Sequence, residues 1–406
     1  SLCVAVAAPV HGSDRPVWNR FRGPNGSGVA EGRAPAKWSD SDYLWNATLP
    51  GAGHSSPVGG NGTVYVTAAD AERGRRFLIA LSSRNGSVRW SVEHPFTPKK
   101  KHKNNSYASN TPACDADAVY FLQQDRDGSS LTAYDHQGKR LWRADLGPYN
   151  HGQGSGTSPI VYQDLVIVAN DHGPGSFLAA FDRRTGEQRW RIPREGKRAC
   201  YATPCVYRPG DRPAEIVFVH SFEGIIGVDP FSGAINWHVD VFGRDPQRAV
   251  GSPVTAGSIV VATSGAVAGA KQLVAIRTRR QSDGVAAEVL YHSRKGPHVP
   301  TPLIVGENRL FQLLDIGIAV WSDLETGRPI WQKRIGGTYF SSPICVGGAI
   351  YCPDVDGHVV VLAASDTFRE LGRSELPEGT KATPAVIDGR LIFRTESRVV
   401  ALPLKR

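Results

Sequence analysis

Eight copies of one short pattern run along almost the whole chain. Each copy contains a Ser-Pro or Thr-Pro pair, and successive prolines stand 41 to 55 residues apart. The eight prolines are Pro57, Pro112, Pro159, Pro204, Pro253, Pro302, Pro343 and Pro384. A period of roughly 40 to 50 residues with about four short strands per copy is typical of a β-propeller. We therefore predict an all-β fold, an eight-bladed β-propeller of four-stranded antiparallel blades.

A tryptophan ends most of the copies, just after a tight turn. The clearest example runs from Ala179 to Trp190, with the turn at Thr185-Gly186. Glycine supplies the positive φ angle that a tight hairpin needs. The tryptophans in this position are Trp90, Trp142, Trp190, Trp237 and Trp331. A large aromatic side chain at a fixed place in each copy predicts a structural role, packing against the neighbouring blade.

The last copy lacks its outer strand, and the missing strand is found at the front of the chain. After Arg398–Leu402 the chain ends at Arg406, whereas Tyr43–Leu49 matches the outer strand of another copy. The pattern predicts that this N-terminal strand completes the last blade. Closure of the ring in this way removes two free sheet edges. The propeller would therefore occupy residues 43–406.

The residues before the propeller divide into two parts. Residues 1–12 are a small, apolar run with Ala5-Val6-Ala7, which resembles the end of a secretory signal. We expect an exported protein of the periplasm or cell envelope, and no other apolar stretch approaches the length of a transmembrane helix. Residues 13–42 form an N-terminal arm that we expect to pack on the propeller through Trp18, Phe21 and Trp38.

The net charge of +9 leaves two interpretations open. One is a well-solvated, arginine-rich surface, and the other is an anionic partner. The densest basic run, Lys99–Lys103, has no interleaved aromatic residues of the kind that single-strand binders use. We therefore do not expect nucleic acid among the partners.

The chain shows no recognisable catalytic or metal-binding motif. No pair of its six cysteines forms Cys-x-x-Cys, and buried free thiols are expected for most of them. The pieces Asp125–Gly128 and Asp354–Gly357 are similar to calcium loops but lack further ligands at the required spacing, which favours simple turns. No nucleophile elbow, His-Glu-x-x-His or Walker loop is present. We predict no catalytic residues and no metal site.

One set of polar residues is a candidate binding site. The segments just before the first strand of each blade should approach one mouth of the central channel. They carry His54, Lys103, Asn105, Tyr107, His151, Arg194, Tyr201 and His298. Such a mixture could bind an anionic ligand, or it could line a hydrated funnel in which polar groups bond only to backbone and water.

The cassette Ala180–Trp190 resembles the repeat of the pyrroloquinoline-quinone-type propeller family, and the resemblance covers residues 43–406. One branch contains quinone-dependent dehydrogenases, which use two adjacent cysteines, calcium ligands and an aspartate base on long insertions. This chain has no adjacent cysteines, and its short intervals leave little room for insertions. The segment Phe21–Asn25, followed by a distant tryptophan, is similar instead to the BamB-like, non-dehydrogenase branch.

The resemblance implies a protein-binding or assembly scaffold, with other envelope proteins as partners, no cofactor and a monomeric propeller. Two alternatives remain. One is an oxidoreductase with pyrroloquinoline quinone and calcium, and the other is a propeller that binds an anionic ligand or carbohydrate.

Overall fold

The structure, a computed structural model, describes residues 18–125, 128–243, 247–266 and 269–405. It confirms the eight-bladed propeller: eight antiparallel sheets contain four propeller strands each. We name these strands A to D from the channel outward. Within the described residues there is no α-helix, only the short 3-10 turns Pro24–Gly26 and Asp40–Asp42. The predicted secretory remnant, residues 1–12, lies outside the described residues.

The strand bounds follow the repeat predicted from the prolines. In chain order, blades 1 to 4 comprise Val58–Gly60, Thr63–Asp70, Arg75–Ser82 and Val88–Pro95; Ala113–Cys114, Val119–Gln123, Ser129–Tyr134 and Arg140–Gly147; Ile160–Tyr162, Leu165–Asn170, Phe177–Asp182 and Gln188–Pro193; Cys205–Tyr207, Glu215–His220, Gly224–Val228 and Ile235–Val239. Blades 5 to 8 comprise Val254–Ala256, Ile259–Gly265, Lys271–Gln281 and Gly284–Ser293; Leu303–Val305, Arg309–Leu314, Ile318–Asp323 and Pro329–Arg334; Ile344–Val346, Ala349–Pro353, His358–Ala363 and Glu370–Glu375; Ala385–Ile387, Arg390–Arg394, Arg398–Pro403 and, from the front of the chain, Trp45–Thr48.

The N-terminal strand closes blade 8 as predicted. Trp45–Thr48 pairs antiparallel with strand C, and Trp45 lies opposite Ala401 in the register. The side chains of Trp45 and Leu402 both belong to the buried cluster that joins blades 1, 7 and 8. The first and the last strands of the propeller are thus held in one sheet, and the ring has no free edge at this point.

Outer tryptophans join five of the eight blades to the next blade. The indole Nε1 of Trp142 donates a hydrogen bond of 2.9 Å to the carbonyl of Arg183, in the C–D turn of the following blade. Trp190 does the same to Pro230, at 2.7 Å. The corresponding bonds of Trp45, Trp90 and Trp331 reach Ser83, His136 and Ser365. At these five junctions, one aromatic side chain therefore supplies both apolar contact and a satisfied hydrogen bond.

Blade 5 departs from this arrangement because its outer hairpin is longer. Strands Lys271–Gln281 and Gly284–Ser293 carry the C–D turn beyond the level at which Trp237 could meet it. Trp237 instead donates to the buried carboxylate of Glu215 in its own blade, at 2.7 Å. Tyr291 takes the tryptophan position in blade 5, and its hydroxyl donates to the carbonyl of Leu324 at 3.0 Å.

The described part of the arm enters the channel and closes the end where the A–B turns lie. Val29–Ala30 adds a fifth, parallel strand on the channel side of blade 7. Asn25 pairs with both backbone groups of Val206 in blade 4, at 2.6 and 2.8 Å. Trp18 is buried, and Trp38 stacks on Phe393 of blade 8. The arm thus ties together blades on opposite sides of the ring.

Two arginines of the arm lie buried inside the channel, and no carboxylate of the described residues pairs with them. Arg22 donates to the carbonyls of Pro302 and Gly26, at 2.9 and 3.1 Å. Arg20 donates to the carbonyl of Pro204 at 2.5 Å. Burial lowers the pKa of Arg20 to about 10 and that of Arg22 to about 9. Backbone carbonyls, rather than ion pairs, compensate for much of the lost hydration of these charges.

Cys114, Cys200, Cys205, Cys345 and Cys352 are buried free thiols, and Cys3 lies outside the described residues. In the described part of the chain, no helix has the length and apolar character needed to span a bilayer.

Candidate functional site

A ring of hydroxyl groups surrounds the channel where the A strands begin. Each Ser or Thr that precedes a repeat proline can accept a hydrogen bond from the backbone N–H of its counterpart in the preceding blade. Seven such bonds, of 2.9 to 3.0 Å, are present in the described residues. The last of them runs from the N–H of Thr383 to Ser56 and so crosses the blade 8–blade 1 junction. This explains why the residue before each proline carries a hydroxyl.

A cavity of about 420 Å³ opens above this ring, on the face where the D–A connections lie. All eight connections contribute to its wall, and Phe21 of the arm reaches it through the channel. The ionisable residues of the wall are His54, His102, Arg198, Tyr201, Arg248, His298 and Lys381. Among the described residues, no carboxylate lines the cavity. We call this space the cationic cup.

The cup contains four of the eight predicted ligand-binding residues: His54, Asn105, Tyr201 and His298. Asn105 is engaged in holding the wall together, since its amide nitrogen donates to the carbonyls of Gln153 and Ser155, each at 2.9 Å. The other three remain available to a ligand in the cup.

The remaining four predicted residues stand outside the cup wall. Arg194 is buried in an ion pair with Asp171, at 3.2 Å. The hydroxyl of Tyr107 donates to the carbonyl of Lys99 at 2.7 Å, and Lys103 is exposed. His151 packs beside Tyr149, and burial with nearby arginines lowers its pKa to about 4. These residues belong to the outer parts of their connections.

Sequence reasoning missed four charged or ionisable residues of the cup: His102, Arg198, Arg248 and Lys381. A usable signal was present. Arg198, Arg248 and Lys381 all lie within six residues of the next repeat proline, whereas Lys103, His151 and Arg194 lie eight or more residues away. In these connections the stretch nearest the proline reaches the cup, whereas His102 lies ten residues before Pro112 and is not indicated by this signal.

The cup disfavours additional positive charge. Burial, together with Lys381, Arg394 and Lys101, lowers the pKa of His54 to about 3. Burial likewise lowers the pKa of Lys381, with Lys101 adding to the effect and Glu396 opposing it. The pKa of Arg198 is lowered by burial and by Arg248. Desolvated cations without acidic partners repel one another, so the site favours an anion.

Two neutral donors complete the wall. Burial raises the pKa of Tyr201 to about 12, so its hydroxyl keeps its proton at neutral pH. That hydroxyl has no hydrogen-bond partner among the described residues, and neither has Nε2 of His298. Burial also lowers the pKa of His298, although Asp315 opposes this effect.

The cup does not fit a quinone held by calcium. Calcium prefers carboxylate and carbonyl oxygens, and the described lining has no carboxylate. The cluster Asp354, Asp356 and His358 lies elsewhere, in the B–C turn of blade 7. Asp354 Oδ1 there accepts the backbone N–H groups of Asp356 and His358, at 3.0 and 2.8 Å, which are turn contacts. Of the other Asp-x-Asp-Gly piece, residues 126 and 127 lie outside the described residues.

Residues 34–126 and 78–313 match the model of a family described as outer membrane protein assembly factor BamB. The structure of BamB from Moraxella catarrhalis is 15% identical, with 87% of this chain and 94% of BamB covered and a TM-score of 0.62. Quinohemoprotein alcohol dehydrogenase from Comamonas testosteroni is 13% identical, with 96% of this chain and 80% of the enzyme covered and a TM-score of 0.66. These structural similarities show a shared fold.

A curated relative matches only part of the chain. The serine/threonine-protein kinase AfsK of Streptomyces griseus is 27% identical over 150 residues, which are 36% of this chain. The matched stretch spans 18% of the kinase.

Proposed function

The chain belongs to the pyrroloquinoline-quinone-repeat β-propeller family, and we propose that it is an exported binding scaffold of the cell envelope. In this proposal it holds another envelope protein, in a role similar to that of an outer membrane protein assembly factor. The partner docks on the face that carries the cationic cup. The match of residues 34–126 and 78–313 to the BamB family model supports this role.

We infer the docking face from the charges on the two faces of the propeller. On the face of the A–B and C–D turns, two arginines are neutralised by acids: Arg183 pairs with Asp117 at 2.6 Å, and Arg309 pairs with Asp366 at 2.7 Å. On the cup face, Arg198 and Lys381 form no ion pair within the described residues, and Lys103 is exposed. A positive face would attract a partner with an acidic surface and orient it during the encounter.

Site-specific photo-crosslinking in cells that produce the protein tests this proposal. A photoreactive amino acid replaces Lys103 on the cup face in one variant and Lys139, in the C–D turn of blade 2, in a matched control. Both lysines are exposed. We expect adducts with one or a few envelope proteins from position 103 and markedly fewer from position 139. Absence of adducts from position 103, or the same adducts from both positions, would reject the docking face.

The family resemblance leaves quinone-dependent oxidation as the second candidate function. The lining of the cup argues against it, since it offers no carboxylate ligand for calcium in the described residues. The purified protein, mixed with pyrroloquinoline quinone and calcium and then desalted, should retain neither the quinone absorbance nor stoichiometric calcium. Retention of both would favour the oxidoreductase.

A further inference from the structure

We propose that the cationic cup is a binding site for a small polyvalent oxyanion, a phosphate or polycarboxylate group, held between Arg198, Arg248 and Lys381. The site uses Arg198 and Lys381, which also make the proposed docking face positive, but small-anion binding can be measured without a protein partner. The shared chemistry of the two ligand types is a compact group with several negatively charged oxygens. Pockets of about 300 to 1,000 Å³ suit small molecules, and the cup has about 420 Å³.

The cup presents charged donors that the protein does not use. Arg198 and Lys381 make no side-chain hydrogen bond and no ion pair within the described residues, although burial penalises both charges. Arg248 donates through Nη1 to the carbonyl of Ala199 at 2.9 Å, which leaves its other N–H groups available. Hydrogen bonds from charged donors to an oxyanion are the strong ones, and guanidinium groups match carboxylate and phosphate geometry.

These cations face one another across the cup. Arg198 lies in the connection from blade 3 to blade 4, and Lys381 lies in the connection from blade 7 to blade 8. In an eight-bladed ring these two connections stand on opposite sides of the channel. A ligand on the channel axis is therefore flanked by positive charge from both sides, which a group with several anionic oxygens can satisfy at once.

Two buried polar groups point to the same ligand. The His298 side chain is only 8% exposed, and its Nε2 has no partner in the described part of the chain. Asp315 accepts the backbone N–H groups of His298 and Val299, at 2.8 and 3.1 Å, and so does not use the imidazole ring. The Tyr201 hydroxyl is likewise buried without a partner. An unsatisfied buried donor is costly, and oxyanion oxygens would accept from both groups.

The environment also favours anions over neutral or cationic ligands. No carboxylate lines the cup in the described residues, although Glu396 lies close enough to Lys381 to oppose the lowering of its pKa. Asp315 accepts backbone N–H groups and lies 3.7 Å from the Lys271 amino group. Binding of an anion would relieve the mutual repulsion of Arg198 with Arg248 and of Lys381 with Lys101. Neutral sugars would gain no such relief.

Isothermal titration at low ionic strength tests the site with two probes, inorganic phosphate and citrate. We expect at least one of them to bind the full chain with one site and a Kd below about 1 mM. The tighter probe identifies the ligand class, phosphate or polycarboxylate. Bound anion should also raise the melting temperature of the protein, because a ligand that binds only the folded state stabilises it.

The matched variants separate a site from general charge attraction. The double variant Arg198→Gln/Lys381→Gln removes two cup cations that make no hydrogen bond within the described residues, so it should fold normally. The control Arg184→Gln/Lys139→Gln removes two exposed charges from turns on the opposite face. We expect the cup variant to weaken binding by about tenfold or more, with a flatter salt dependence, and the control to change it less than about twofold.

Three outcomes would overturn the proposal. One is the absence of phosphate and citrate binding to the unaltered protein up to about 10 mM, which would make the cup a hydrated funnel. Another is equal weakening in the cup variant and in the control. The third is strong anion binding that the cup variant leaves unchanged. None of these results bears on protein docking, which the crosslinking experiment tests separately.

Discussion

At the scale of single residues, the surroundings of three partly buried histidines keep them neutral: His54 in the cup, His151 outside its wall and His94 in strand D of blade 1. The pKa of His54 is lowered to about 3, mainly by burial and then by Lys381, Arg394 and Lys101. Burial and nearby arginines lower the pKa of His94 and of His151 to about 4. The unfolded chain binds protons at these positions near pH 6.5, whereas the folded protein does not. Acid therefore favours the unfolded state.

This gives a prediction for His54→Gln. The contribution of these histidines to the free energy of unfolding should be greatest above about pH 6.5 and fall as the pH is lowered toward 4. Without His54, the fall should be shallower, by at most about 1.4 kcal/mol per pH unit. Urea titrations at several pH values between 7.5 and 4.5 measure this difference. Parallel curves for the two proteins would show that His54 is protonated equally in the folded and unfolded states.

The residue scale also shows what the sequence could and could not indicate about the site. The repeat places residues near each proline at the channel, and His54, Tyr201 and His298 were found in this way. Arg194 lies outside the cup wall. Its guanidinium group pairs instead with Asp171, which lies in a different strand connection. Some polar groups already form hydrogen bonds or ion pairs within the protein and are not free for a ligand. These contacts join distant segments, so a local sequence pattern does not show them.

At the scale of secondary-structure elements, the C–D turn of one blade is shaped to receive the tryptophan of the preceding blade. Gly186 has a φ of +74°, and a Cβ atom there would lie 2.6 Å from Cε3 of Trp142. Gly138 and Gly233 stand in the same relation to Trp90 and Trp190. The Asn-Gly and Thr-Gly turns of the repeat therefore serve two purposes, a positive φ angle and space for the neighbouring ring.

Substitution of two glycines separates these purposes. Gly147 has a φ of +75°, but no atom lies within 4 Å of a Cβ placed there. Gly147→Ala should therefore cost only the strain of the left-handed backbone, about 1 to 2 kcal/mol. Gly186→Ala should cost more, by a further 1 to 3 kcal/mol or so, because the new methyl group meets the Trp142 ring. Denaturant titration of both variants measures the difference. Equal losses in the free energy of unfolding would mean that the Trp142 ring moves aside at no cost.

Most elements follow from the repeat, whereas two elements do not. The alternation of strands and turns is visible in the sequence because the same pattern recurs in every copy. Comparison of the copies also shows that the last one lacks a strand, which the N-terminal strand supplies. The two-residue strand Val29–Ala30 carries no periodicity of its own and exists only because Cys345 and Gly347 offer backbone partners in the channel. For the long hairpin of blade 5, the sequence indicates only that this copy departs from the repeat.

At the scale of the whole molecule, closure of the ring and the arm together create the binding space. The strand Trp45–Thr48 joins the first residues of the propeller to blade 8, so that eight connections surround one channel. The arm fills the far end of that channel, and Phe21 reaches the cup from below. Neither the arm nor any single blade would form this site alone.

The most direct test of this account is a crystal structure of the protein soaked with tungstate, a tetrahedral oxyanion with a strong anomalous signal. The account predicts an anomalous peak inside the cup, with oxygens within about 3 Å of donors from Arg198, Arg248 or Lys381. The same soak of the Arg198→Gln/Lys381→Gln variant should lose that peak. Tungstate bound only at surface arginines, with none in the cup, would contradict the claim that the eight connections form an oxyanion site.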